Sequence, residues 1–133
     1  MAARVVVDVV DNVFKKVAKI FKVKELREYQ KDALKSLWEE NDCFVCQPTG
    51  SGKSIIYQSY PFFSFLMDTA LTTTVESFDD DVALLNVKRI ILVISPLVGL
   101  MKDQVMYLQN IGISSISLRK DMEVEGAVVD IKV

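Results

Sequence analysis

Gln47-Pro48-Thr49-Gly50-Ser51-Gly52-Lys53-Ser54 is the stretch whose residue types and spacing could do chemistry. Glycines with one residue between them let bare backbone approach a bulky anion. The amides from Gly50 to Ser54 can then point at one phosphate of a triphosphate chain, with Thr49 and Ser51 completing the cradle. Lys53 is a compact cation that would reach the β- and γ-phosphates, and the Ser54 hydroxyl would ligate Mg²⁺. The full pattern wants glycine where Gln47 stands, so only the tail Thr-Gly-Ser-Gly-Lys-Ser is intact. The competing reading is a plain Gly/Ser turn that happens to precede a lysine. The strand expected before the loop, the helix expected after it and the Lys-Ser pair together favour the phosphate loop. Such a loop does not choose between kinase, GTPase, transporter ATPase and motor; the flanking residues must.

The chain holds no histidine, which removes imidazole acid–base chemistry, Ser–His and Cys–His nucleophile pairs and histidine-containing zinc sites. Its 133 residues suit one domain, given roughly 150 residues per domain. At 50% hydrophobic and 26% charged it is built for a packed core, not for disorder. A net charge of −2 excludes a chain that binds nucleic acid by bulk positive charge. The apolar run near Ile90 is broken by Pro96 and stopped by Lys102, short of the roughly 20 residues a bilayer span needs. Asp8 and Asp11 interrupt the N-terminal valines that a secretion signal would need unbroken. A soluble intracellular protein with no membrane partner is expected.

Elements that position the loop follow from periodicity. Val6, Val10, Val13, Val17, Ile20 and Phe21 recur at helical spacing, and Leu26, Tyr29, Ala33, Leu34, Leu37 and Trp38 repeat it to about Glu40. Cys43-Phe44-Val45-Cys46 reads as a short buried strand. Helical patterning resumes at Lys53 and runs to about Met67, with Pro61 a kink or stop. Residues 68–86 lack Lys and Arg while Asp68, Glu76, Asp79, Asp80 and Asp81 accumulate, an acidic surface loop. Residues 89–95 read as a strand buried on both faces. Leu97, Leu100, Met101, Val105 and Leu108 form a further helical stripe taken as core, and Gly112 stands where a left-handed cap would end it. Residues 113–118 are a third strand candidate; residues 120–133 fit helix or strand. Strand–helix alternation points to an α/β fold, a three-layer sandwich with a mainly parallel sheet, preceded by N-terminal helices. The division expected is a helical segment over 1–23 and a nucleotide-binding domain over 24–133.

Three motifs in order resemble the RecQ family of DNA helicases. Residues 48–54 with Tyr57-Gln58 and Pro61 are similar to its motif I, and Ser95-Pro96-Leu97 followed by Leu100-Met101-Lys102-Asp103-Gln104-Val105 to its motif Ia. Leu26-Arg27-Glu28-Tyr29-Gln30 resembles motif 0, with leucine where an aromatic is usual. The resemblance implies a partial RecA-like motor domain using ATP and Mg²⁺. It implies that Arg27 and Gln30 lie over the base, Gln30 offering the adenine edge a donor and an acceptor. It also implies that Ser95, Pro96 and Lys102 touch the backbone of single-stranded or partly unwound DNA without reading sequence. Localisation would be nuclear.

The family's Asp-Glu-x-His motif is not found: Phe78-Asp79-Asp80-Asp81 lacks an apolar strand before it, and in Ala127-Val128-Val129-Asp130 the next residue is Ile131. Nor is a second motor domain, whose transition-state arginine is worth on the order of 10³–10⁵ in rate. The expectation is therefore a fragment that binds ATP–Mg²⁺ weakly and neither hydrolyses it usefully nor unwinds duplex alone. The alternative is a non-catalytic nucleotide-binding or interaction module, a truncated paralogue that binds a partner helicase. A small phosphotransferase is weaker, since its lid needs arginines and only Arg4, Arg27, Arg89 and Arg119 exist.

Other features are expected to be structural. Cys43 and Cys46 lack two further zinc ligands and read as buried thiols. Trp38, Phe62, Phe63 and Phe65 read as core. Lys15, Lys16, Lys19, Lys22, Lys24, Arg27, Lys31 and Lys35, against Glu25, Glu28 and Asp32, read as the wet side of two helices.

Overall fold

A computed structural model of the chain describes residues 2–72 and 87–118. Among the described residues there are four helices: α1 (Ala2–Ile20), α2 (Glu28–Trp38), α3 (Ser54–Thr72) and α4 (Val98–Asn110). The chain divides into two compact units, Met1–Val87 and Lys88–Val133.

In the first unit α3 packs against both α1 and α2. The α1 stripe buries Val13, Phe14, Val17 and Ala18, with Phe21 buried just after it, and α2 buries Ala33 and Leu34. From α3 come Ile55, Ile56, Phe62, Phe63, Leu66 and Met67. Phe14 stacks on Phe63 with ring centroids 5.2 Å apart, and Phe21 meets Phe62 edge-on at 6.0 Å. Each such pair adds about 0.5–1.5 kcal/mol beyond its area burial. Lys31 and Lys35 of α2 place their ammonium groups 5.8 and 5.6 Å from the Phe14 ring centre, so part of the basic run covers the core instead of merely facing water. The expected N-terminal segment thus shares its core with the helix that follows the loop.

One expectation about α3 changes. The helix continues through Pro61 to Thr72, although a proline leaves the carbonyl four residues back without its helical donor. Burial of Phe62, Phe63, Leu66 and Met67 on the turns after Pro61 outweighs that lost bond. Residues 68–72, assigned to the acidic loop, are the end of this helix. Asp68 there accepts a hydrogen bond from the half-buried Trp38 indole, Nε1 to Oδ1 3.2 Å. The rest of that loop, 73–86, and residues 120–133 lie outside the described residues.

The expected sandwich shows its helices but no strand among the described residues. Residues 43–46, 89–95 and 113–118 join no ladder there. Phe44 is 95% exposed, and Leu92 and Ile94 are 79% and 90% exposed. The physical reason is non-locality. A parallel strand takes its hydrogen bonds and its covering helices from segments a dozen or more residues away, so an apolar run cannot bury itself without them. The same reason corrects the reading of the thiols: Cys43 and Cys46 are both free and exposed. It corrects the α4 stripe as well. No residue of α4 is buried, and Leu97 and Leu100 are exposed.

Three helix ends obey one rule. α1, α2 and α4 each stop with the chain turned left-handed, at Lys22 (φ 55), Glu40 (φ 63) and Gly112 (φ 86). The two bonds of a Schellman motif close each end: Val23 N–H to Ala18 O (3.0 Å) with Lys22 N–H to Lys19 O (3.2 Å), Asn41 to Ser36 (3.0 Å) with Glu40 to Leu37 (3.1 Å), and Ile113 to Leu108 (2.9 Å) with Gly112 to Gln109 (3.0 Å). The cap expected at Gly112 is there; the two on lysine and glutamate carried no glycine to announce them.

Candidate functional site

The candidate phosphate loop is built from a turn, a strut and a helix start. Ser51 N–H donates to Pro48 O at 3.2 Å, closing a four-residue turn in which Gly50 has φ +81 at the third position. A turn of that sign favours glycine there, because L side chains rarely adopt that φ. The Ser51 hydroxyl donates to the same Pro48 carbonyl at 2.6 Å. Gly52 follows with φ +88, and α3 begins at Ser54. The alternation of glycines read in the sequence is therefore an alternation of left-handed backbone.

The strut comes from α2. Arg27 is its N-cap, with extended backbone (φ −74, ψ 155), and Gln30 stands three residues on. The Arg27 N–H donates to Gln30 Oε1 at 2.8 Å, the return half of a capping box. The other end of the same carboxamide donates from Nε2 to Gly52 O at 2.9 Å. The orientation of this amide is fixed by its partners, since a flip would face donor with donor and acceptor with acceptor. Gln30 is 5% exposed. Beside it, the Tyr29 hydroxyl donates to Ser51 O. Two consecutive side chains of α2 thus hold two consecutive carbonyls of the loop.

Lys53 curls back over the loop. Its Nζ donates to Gln47 O at 2.6 Å and to Pro48 O at 3.1 Å. Its positive charge is thereby held against the start of the loop it terminates. A phosphate would offer it charged acceptors in place of two neutral carbonyls, and charge-assisted hydrogen bonds are roughly twice as strong as neutral ones.

These residues fit a nucleotide's phosphates with Mg²⁺. The fit rests on the loop itself: both glycines sit at φ values that L side chains rarely adopt, and a Cβ on Gly52 would lie 2.7 Å from Gln30 Nε2. Bare backbone is therefore a requirement of this fold at that position. Thr49 is exposed on the turn and Ser54 is half-buried at the first position of α3. The positive end of the α3 dipole faces the loop, the arrangement that favours anions. Arg27 is exposed, and the Gln30 carboxamide retains one N–H and one lone pair beyond the bonds named above.

In the second unit Ser95 and Pro96 lie just before α4. The Leu97 N–H donates to Ser95 Oγ at 3.4 Å, a local turn that sets the entry to the helix. Lys102 is exposed on the second turn of α4. Sequence reasoning missed Tyr29 as a site residue, because its place in an apolar stripe marked it as core. It missed the Pro48 and Gln47 carbonyls too, since every residue has one and only the folded turn shows which are used.

Residues 27–131 match the DEAD/DEAH box helicase family. Among curated proteins, the chain is 31% identical over 106 residues to the ATP-dependent DNA helicase Q1 of Rattus norvegicus, covering 80% of this chain and 13% of that protein. It is 34% identical over 100 residues to the ATP-dependent helicase SGS1 of Saccharomyces cerevisiae, 75% of this chain and 6% of that one. To the ATP-dependent DNA helicase hus2/rqh1 of Schizosaccharomyces pombe it is 32% identical over 98 residues, 74% and 6% respectively. The chain therefore spans a small part of the length of these relatives. No solved structure matches it. The family match implies a RecA-like fold, and the loop, the strut and the segment before α4 fall inside the matched residues. The chain belongs to the DEAD/DEAH box helicase family and is homologous within it to the RecQ-like helicases.

Proposed function

We propose that the chain is the ATP-binding and nucleic-acid-binding portion of a RecQ-like, ATP-dependent DNA helicase. The observation that carries this is the loop over 48–54: left-handed Gly50 and Gly52, a lysine folded onto it and a carboxamide bracing it from α2. Gly50 to Ser54 present their amides to the phosphates, with Thr49 at the rim and Lys53 as the cation. Ser54 would hold Mg²⁺, which would supply positive charge against the phosphates. Arg27 and Gln30 take the base: the carboxamide's remaining donor and acceptor suit an adenine edge.

Ser95, Pro96 and Lys102 contact the backbone of single-stranded or partly unwound DNA. The exposed start of α4 supports this, because a helix N-terminus and an ammonium bind phosphate without reading bases. In this reading residues 24–133 belong to the motor domain, and the segments over 43–46 and 89–95 are strands of its mainly parallel sheet. The protein works in the nucleus and has no membrane role. No helix among the described residues is long and apolar enough to cross a bilayer. Hydrolysis and unwinding require an Asp-Glu-x-His strand and a second motor domain, so the 133 residues alone bind nucleotide without useful turnover.

Lys53→Ala tests the reading. It should abolish ATP binding measured by calorimetry in the presence of Mg²⁺, and unchanged affinity would defeat the assignment.

A further inference from the structure

We infer that Tyr29 is a positioning residue for the phosphates, acting through the Ser51 carbonyl; the inference rests on the nucleotide reading above. A trans peptide is planar, so the carbonyl of one residue and the N–H of the next point in opposite directions. The described chain has no cis peptide. Whatever grips Ser51 O therefore aims the Gly52 N–H, and whatever grips Gly52 O aims the Lys53 N–H.

Tyr29 Oη and Gln30 Nε2 make those two bonds, from adjacent positions at the start of α2. Both carbonyls are drawn towards α2, and both amides consequently face away from it. Gly52 most needs this restraint, because with φ +88 and no side chain it has the widest choice of alternative conformations. Ser51 is already tied to Pro48 through its own N–H and hydroxyl, which fix the near side of the same residue. The Tyr29 bond fixes its far side. The outcome is a donor set arranged before any anion arrives, so less ordering is lost on binding.

The Tyr29 ring and its hydroxyl have separable duties. The ring belongs to the α2 stripe that packs the helix; only the hydroxyl reaches the loop. Tyr29→Phe keeps the ring and removes the donor, and the Ser51 carbonyl, half-buried, is left without that partner.

The experiment titrates the 133-residue chain and its Tyr29→Phe variant with ATP and with inorganic tripolyphosphate, both with Mg²⁺, by calorimetry. A melting curve is recorded for each protein. The expected result is a loss of about threefold to tenfold in affinity, equal for ATP and tripolyphosphate, with the fold retained, as one hydrogen bond's worth of preorganisation predicts. Unchanged affinities would overturn the inference. So would a loss confined to ATP, which would place the hydroxyl's effect on the base, or a variant that fails to fold. If the unmodified chain binds neither ligand, or binds them indifferently to Lys53→Ala, the nucleotide reading itself fails. Tight wild-type binding that Tyr29→Phe leaves intact sinks the tyrosine alone.

Discussion

The helices α1 to α3 and the apolar segments at 43–46 and 90–94 use the same kinds of side chain and put them in opposite places. Phe14, Val17, Phe21, Leu34 and Phe63 are buried, whereas Phe44, Leu92 and Ile94 stand in water. Hydrophobicity alone does not separate the groups. What separates them is where their neighbours come from. A helix satisfies its own backbone and needs only another face to pack on, which α1, α2 and α3 provide for one another within one stretch of chain. A parallel strand needs partners on both edges and cover on both faces. Periodic helices can therefore close a core early, while strand segments wait for the full set.

Truncating each region tests the comparison hardest. Phe63→Ala should cost about 3–5 kcal/mol, because it removes a fully buried ring together with its stack on Phe14. Leu92→Ser should move stability by no more than about 0.5 kcal/mol, the usual range for an exposed position. Urea denaturation of both variants gives the two values side by side. A loss at Leu92 approaching that at Phe63 would mean the segment over 90–94 is packed in solution, and the contrast between the regions would collapse.

The same contrast explains what the sequence let one read. The stripes of α1 and α2 were legible because 3.6-residue periodicity is a local signal. Gly112 was legible as a cap because glycine is the usual residue for the left-handed turn. The Gly50-Ser51-Gly52-Lys53-Ser54 loop was legible for a related reason, since its left-handed backbone at two positions constrains residue type. The exposure of Cys43 and Cys46 was not, because the expected burial depended on a sheet whose partners the local pattern does not contain. Tyr29 was not either: an amphipathic side chain in an apolar stripe looks the same whether its hydroxyl meets water or a carbonyl. The end of α3 was legible only to about Met67, because the residues that carry it on to Thr72 show no apolar periodicity of their own.

A smaller effect separates the two loop glycines. Both have positive φ, but a Cβ at Gly50 meets nothing within 4 Å, whereas one at Gly52 lies 2.7 Å from Gln30 Nε2. Gly50→Ala should therefore carry only the backbone cost, about 1 kcal/mol. Gly52→Ala should carry that cost and also displace the carboxamide that braces the loop, for a total of about 2–3 kcal/mol. Melting midpoints rank the two variants, and calorimetry should show the larger loss of ATP affinity for Gly52→Ala. Equal penalties would mean that the strut from α2 contributes nothing.

The smallest effects lie at the helix ends, where the contrast between local and distant determinants can be sharpened without touching either core. Lys22 and Glu40 hold the left-handed position that Gly112 occupies at the end of α4. A side chain there crowds its own carbonyl, a cost of roughly 1–2 kcal/mol that glycine avoids, partly offset because glycine also frees the unfolded chain. Lys22→Gly and Glu40→Gly should each raise the stability of the chain by about 0.5–1 kcal/mol in urea titrations. Gly112→Ala should lower the helicity retained by α4 in circular dichroism, and because a Cβ there meets no atom within 4 Å, backbone strain is the whole cause. If Lys22→Gly and Glu40→Gly instead destabilise, the side chains must contribute contacts that outweigh the strain. Helix termination in α1 and α2 would then depend on tertiary partners, as burial of a strand segment does, and not on the local geometry that Gly112 announces.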